Sequence, residues 1–333
     1  MRAMPKAKLS AARARYVRRT EEHSKVASSA ELVRIGRREM EIARLDKVLF
    51  PEAGITKGEL IDYYHRIASW MLPHLRGRPL SLERYPDGIE GQGFFQKSAP
   101  SYYPDWIRRV TVRKVGGTVT HVVCEDEATL VYLANQAVVT PHVWLSRTDR
   151  LDHPDQMVFD LDPSGQAFGP VKRTAQAFKE LLDQLELPAY LKTTGSRGLH
   201  VVVPLRRREG FDSVRALARE LAEIVAGEAP TERTLEQLKS KRAGRVFLDT
   251  NRNAYAQTVA PAYAVRARPG APVSVPLDWS ELERKALRPD GVTIRTIFGR
   301  LEKVGDPWKG FWRRGVTLTR ARQKLSSPSS APA

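Results

Sequence analysis

The segment that most constrains this chain is Met157–Pro163, MVFDLDP. It reads as a strand, ended by Pro163, and a strand sends residues two apart to the same face. Asp160 and Asp162 therefore project side by side. Carboxylates this close repel unless a cation neutralises them, and hard oxygen donors at this spacing suit Mg²⁺ or Mn²⁺. A third acid, Asp249, follows the apolar run VFL. Three strand-borne acids can bridge two ions about 3.5–4 Å apart, the arrangement of in-line phosphoryl displacement. Taken alone, DxD also serves as a strand-end pair capping a loop. The apolar setting of all three acids argues for a ligand, because burying them unpaired is costly.

The surroundings of these acids alternate strand and helix. GPVKRTAQAFKELLDQLEL is a helix opened by Pro170; AYLKTTG and LHVVVPL are strands joined by the turn GSRG; a second helix runs over about 212–227. Upstream, Thr56 and Glu59 have capping-box spacing before a helix in which Leu60, Tyr64, Ile67, Met71 and Leu75 recur at helical intervals. Residues 110–123 read as a hairpin around Gly116-Gly117. The pattern predicts an α/β or α+β core with polar residues at strand ends. Residues 1–38 are expected to be a basic, poorly packed leader, either a helix against DNA or disordered, 39–318 a catalytic unit, and 319–333 a tail whose end, SSPSSAPA, reads as disordered. No internal repeat and no linker divides the middle.

In TTGSRGLHVVV, Gly195 and Gly198 let backbone amides approach an anion, with Ser196 and Arg197 as further donors and His200 entering the next strand. The Walker A spacing is missing, and an ordinary hairpin with a core histidine remains an alternative. Charge adds a second argument. Lys and Arg total 55 against 38 acids, a net charge of +17, and residues 1–44 hold 12 basic and 5 acidic residues of these. The body is therefore basic too, which favours a polyanionic partner; a general solubility charge would look the same. One cysteine, Cys124, excludes an internal disulfide and a zinc site of several thiolates. No apolar run approaches the roughly 20 residues of a membrane span, and the N-terminus lacks a signal-peptide core. A cytoplasmic protein is expected, associated with a bacterial nucleoid.

FDLDP, TGSRGLH and FLDTN, in this order and spacing, resemble the three motifs of the archaeo-eukaryotic primase superfamily. LDKVLFPEAGITKGEL, FFQK, TPHVWLSR, MVFDLDP and QTVAPAYAVRARPGAPVSVPLDW resemble, more narrowly, the polymerase domain of bacterial DNA ligase D, from about residue 40 to about 315. The resemblance implies a primase-like core with a mixed, RRM-like sheet flanked by helices. It implies Asp160, Asp162 and Asp249 as ligands of two Mn²⁺ or Mg²⁺ ions. Ser196, Arg197, Gly198, His200, Arg266 and His142 fall to the incoming nucleoside triphosphate. Lys47 and Lys57 match a pocket for a DNA 5′-phosphate, and a helix N-terminus at Lys57 suits one. Phe94 and Phe95 match an aromatic pair that stacks on template bases. Adjacent strand residues face opposite ways, so at least one of the two is expected in the core. Arg242, in KSKRAGR, is expected in a DNA-contacting loop.

The activity so implied is template-directed addition of nucleotides, with a preference for ribonucleotides, at gaps, breaks and 3′ overhangs in non-homologous end joining. A Ku-like end binder and a separate ligase are the implied partners; with no ligase adenylation motif or nuclease module in this sequence, it reads as a stand-alone polymerase or an excised domain. Rival readings are a primase that starts chains without a primer, a non-catalytic DNA-end scaffold, and a metal-dependent nuclease.

Overall fold

The computed structural model describes residues 30–165 and 167–326. Two sheets position the functional side chains. The smaller contains β1 (Leu80–Arg84), β2 (Phe94–Gln96), β3 (Val138–Trp144) and β9 (Thr258–Val259), in the order β9-β3-β1-β2. The larger contains β4 (Gln156–Asp162), β5 (Tyr190–Thr193), β6 (Leu199–Pro204), β7 (Arg233–Thr234), β8 (Val246–Asp249) and β10 (Pro276–Leu277). Its order is β7-β8-β4-β6-β5-β10, antiparallel throughout except for the β7–β8 pair. One continuous apolar core runs through both sheets.

Four helices matter: α1 (Lys57–Leu75), α2 (Glu127–Asn135), α3 (Gly169–Gln184) and α4 (Phe211–Glu228). Thr56 caps α1 through a complete capping box with Glu59, and the five apolar residues expected on its inner face are all buried. Helix α3 opens on Pro170 and packs Phe178 against Phe159 of β4, ring centroids 4.4 Å apart. That contact fixes the polarity of the sheet. Phe159 faces α3, so strand alternation turns Asp160 and Asp162 to the opposite face.

Three boundaries differ from the sequence reading. Residues 31–38 are not part of a loose leader: Glu31–Ile35 pairs with Arg38–Ile42 in a hairpin whose Ile35, Met40 and Ile42 join the core. The alternation in ELVRI and REMEI, with Gly36 at φ +58° in the turn, accounts for it. The predicted hairpin near 116 exists, but its turn is Val115-Gly116, since Gly117 already pairs with Lys114. Thr319–Ser326 is helical, whereas residues 1–29 of the leader and 327–333 of the tail lie outside the described residues. Among the described residues, no helix is long and apolar enough to cross a membrane.

Candidate active site

Strand register aligns four polar side chains straight across the larger sheet. Asp249 on β8 faces Asp160 on β4, Asp160 faces His200 on β6, and His200 faces Lys192 on β5. All four are more than nine-tenths buried. Asp162, two residues further along β4, lies on the same face. His200 Nε2 is 3.2 Å from Asp160 Oδ1, and Lys192 Nζ donates to Ser274 Oγ at 2.7 Å. The Asn251 amide donates to Asp249 Oδ1 at 2.8 Å. Arg252, in the turn after β8, places Nε 3.4 Å from Asp160 Oδ2 and 3.5 Å from Asp249 Oδ2.

The electrostatics follow from burial and these neighbours. Burial raises Asp162, and the Asp160 charge beside it raises it further; Asp249 is raised chiefly by burial. Burial also works against an ionised Asp160, yet His200, Arg252 and Lys192 hold its pKa below the usual value. Burial and the nearby Lys192 bring His200 to about 4, so it meets Asp160 as a neutral imidazole. Lys192 is lowered to about 7 by burial and by Arg266. The three carboxylates are thus crowded together and offset by Arg252 between two of them, with Lys192, Arg197 and Arg266 within electrostatic reach.

This donor set fits divalent cations. Three hard carboxylates share one face, and Asp160 Oδ1 is buried without an aligned hydrogen bond. Among the described residues, no three His, Cys, Asp or Glu side chains are already drawn into an ion cage. The cation between Asp160 and Asp249 is the Arg252 guanidinium.

The turn between β5 and β6 closes against these acids. Thr194 Oγ1 accepts the amides of Ser196 and Gly198 at 3.2 and 3.1 Å, so these two amides point inward instead of toward an anion. That corrects the expected amide cradle: the outward donors are the side chains of half-buried Ser196 and exposed Arg197, whose charge reaches Asp162. Gly195 has φ +65°, and a Cβ on Gly198 would sit 2.1 Å from the Leu161 carbonyl oxygen. Only glycine lets the turn lie this close to β4. Arg266 donates to the Thr194 carbonyl at 2.8 Å, its Nε is buried without a partner, and it lies within electrostatic reach of Glu83 and Asp160. Ser196, Arg197, Gly198, His200 and Arg266 are therefore brought together beside the three aspartates.

The smaller sheet adds His142, buried on β3, with Nε2 3.0 Å from Glu83 Oε2 and its ring 5.3 Å from that of Phe95. Phe94 and Phe95 are 43% and 56% exposed, so neither is in the core, contrary to expectation. Strand β2 is the sheet's edge, and the exposure of both rings shows that neither of its faces is covered. At the start of α1, Lys57 Nζ donates to the Ala43 carbonyl at 2.5 Å and Lys47 Nζ lies 2.8 Å from Asp87. Burial, then the charges of Arg44 and Lys47, bring Lys57 down to about 8. Arg242 departs from its expected role. It is buried, donates to the carbonyls of Glu236 and Gln237, and stacks 3.9 Å from the Phe247 ring centroid. It braces the loop from inside, while Lys239 and Lys241 are the exposed cations there.

The primase-polymerase domain family of LigD matches residues 56–308, a span holding every one of these site residues except Lys47. The chain belongs to that family. It is 35% identical over 264 residues to the multifunctional non-homologous end joining protein LigD of Mycolicibacterium smegmatis, covering 78% of this chain and 34% of that protein. The bifunctional LigD of Bacillus subtilis is 32% identical over 276 residues, covering 82% of this chain and 44% of that protein. The chain thus spans a third to under half of these relatives. Among solved structures, the polymerase domain from Mycobacterium tuberculosis ligase D in complex with DNA superposes with a TM-score of 0.78 at 31% identity, covering 82% of this chain and 98% of that one. The expected mixed α/β fold, that of the LigD polymerase domain, is the one observed.

Sequence reasoning missed Arg252, Lys192 and Glu83. Lys192 was legible in principle, because KTTG places it on a strand running into the glycine turn. Arg252 lies three residues past Asp249 in DTNR, and only the turn after β8 swings it back.

Proposed function

We propose that this chain is a template-directed nucleotidyltransferase that adds nucleotides, preferentially ribonucleotides, to primer 3′ ends at gaps and double-strand breaks in non-homologous end joining. The observation that carries the reading is the Asp249–Asp160–His200–Lys192 row, with Asp162 on the same face, beside the turn that holds Ser196, Arg197 and Arg266. Asp160, Asp162 and Asp249 would hold two Mn²⁺ or Mg²⁺ ions, which supply the charge that acidifies the primer 3′-hydroxyl and stabilises the departing pyrophosphate. The side chains of Ser196, Arg197, His200 and Arg266 orient the nucleoside triphosphate, with His142 near it, while Gly198 sets the turn that presents them. The neutral His200 offers a donor without adding charge among the acids. Arg252, which lies between Asp160 and Asp249, would have to give up these carboxylates for them to hold a cation. Lys47 and Lys57 receive the 5′-phosphate on the far side of the gap, and Phe94 and Phe95 stack on the template.

In the cell the partners are gapped or 3′-overhanging DNA, a Ku-like end binder and a ligase, in the bacterial nucleoid. Primer extension on gapped DNA carrying either a 5′-phosphate or a 5′-hydroxyl tests the reading. Extension favoured by the phosphate, and equalised by Lys57→Ala, supports it. Binding without extension in any nucleotide or divalent metal leaves an end-binding scaffold instead.

A further inference from the structure

The two faces of edge strand β2 carry different aromatic groups. On one face Phe95 pairs in register with Glu83 and meets His142, on the side of the nucleotide site. On the other face Phe94 pairs in register with Arg84, whose guanidinium lies 5.5 Å from its ring centroid. Arg84 is held by three further contacts: the Gln136 carbonyl at 2.9 Å, Gln96 Oε1 at 2.6 Å and the Tyr102 hydroxyl at 3.5 Å. Tyr102 is 64% exposed, while its neighbour Tyr103 is buried and meets it edge-on at 5.3 Å. An exposed tyrosine and an exposed phenylalanine thus flank an arginine held by several hydrogen bonds. Such a group does suit a nucleobase, since stacking on aromatic and guanidinium planes is tolerant of base identity.

We infer that Tyr102, packed edge-on against buried Tyr103 and on the Arg84 side of the edge strand with Phe94, is a base-stacking residue for unpaired template nucleotides that have crossed the sheet edge. The inference rests on the polymerase reading and deepens it. The single strand meets Phe95 on the nucleotide-site face, passes over β2, and its next bases lie on Phe94 and Tyr102. The partner is single-stranded nucleic acid of any sequence, and Tyr102 sets how many unpaired template bases are gripped.

The test uses the full chain with gapped DNA carrying 2-aminopurine, a base whose fluorescence is quenched by stacking, at successive unpaired template positions. Tyr102→Ala is expected to relieve quenching at a position beyond the one relieved by Phe95→Ala. It should also weaken binding of gaps longer than one nucleotide by about 5- to 150-fold, the range of one lost stacking contact. Tyr102→Phe keeps the ring and should keep both properties. Quenching and affinity unchanged in Tyr102→Ala overturn the inference. So does equal loss in both variants together with a lower melting temperature, which marks a structural role. If the wild type neither binds nor extends gapped DNA, the polymerase reading itself fails, and this inference falls with it.

Discussion

Replacing Gly198 with alanine isolates the role of turn geometry. The added Cβ would lie 2.1 Å from the Leu161 oxygen and 3.1 Å from its carbon, whereas ordinary Cβ contacts begin near 3.4 Å. Both obstructing atoms are backbone, so neither can rotate away, and the turn must retreat from β4 by about 1.3 Å, the difference of those distances. The φ of Gly198 lies outside the left-handed region, so the effect is steric and not a backbone strain. Leu161 sits between Asp160 and Asp162, and Gly198 lies two residues before His200. The retreat therefore opens the β4–β6 ladder where Asp160 faces His200. Misplacement of reacting groups by about 1 Å costs on the order of 100-fold in rate, and overpacking costs about 1–3 kcal/mol of stability. Single-turnover primer extension and denaturant unfolding measure the two. The expected variant is folded, binds 5′-phosphorylated DNA as before, and extends about 100-fold more slowly. Wild-type extension by Gly198→Ala would refute the argument that contact between this turn and β4 sets the site.

Two further predictions concern charge. Arg78 is wholly buried and bonds both oxygens of Asp155 at 2.7 and 2.6 Å, so Asp155→Ala strands a buried guanidinium. A loss of about 3–5 kcal/mol is expected in denaturant unfolding, and a loss within experimental error would contradict that assignment. Lys57, at about 8, is charged below that pH and neutral above it. A 5′-phosphate, with a second pKa of about 6, is almost wholly dianionic by about pH 7.5, so the preference for 5′-phosphate over 5′-hydroxyl DNA should shrink as pH rises through about 8 and stay flat in Lys57→Arg. The stability sign is opposite. The buried ammonium costs the folded state below about 8, and that cost fades toward the unfolded value of 10.5. A wild-type preference that is constant from about pH 7 to about pH 9 would remove Lys57 from the phosphate pocket.

Much of the site was legible because its signals are local. Asp160 and Asp162 share a face by strand alternation alone, and Gly198 announces a close approach that the Leu161 contact explains. Thr56 and Glu59 state a helix start in four residues. What was illegible depends on partners distant in sequence. Asp160 facing Asp249 and His200 is a matter of strand order, which no spacing encodes. Arg242 looked like a DNA-contacting loop residue because it stands in a basic run, but Phe247 and two carbonyls turn it inward. Phe94 and Phe95 looked half-core because strands usually have two neighbours, and β2 has one. The hairpin at Glu31–Ile42 was hidden by the basic charge of its surroundings, although its alternation was present.

The central claim is that the aspartate row catalyses templated nucleotide addition. Its most direct test is incorporation of single nucleoside triphosphates on a gapped, 5′-phosphorylated template with Mn²⁺, by wild type and by Asp160→Ala. The account predicts extension by the nucleotide complementary to the template, abolished in the variant while DNA binding persists. Extension that survives in Asp160→Ala, or that ignores the template base, would contradict it.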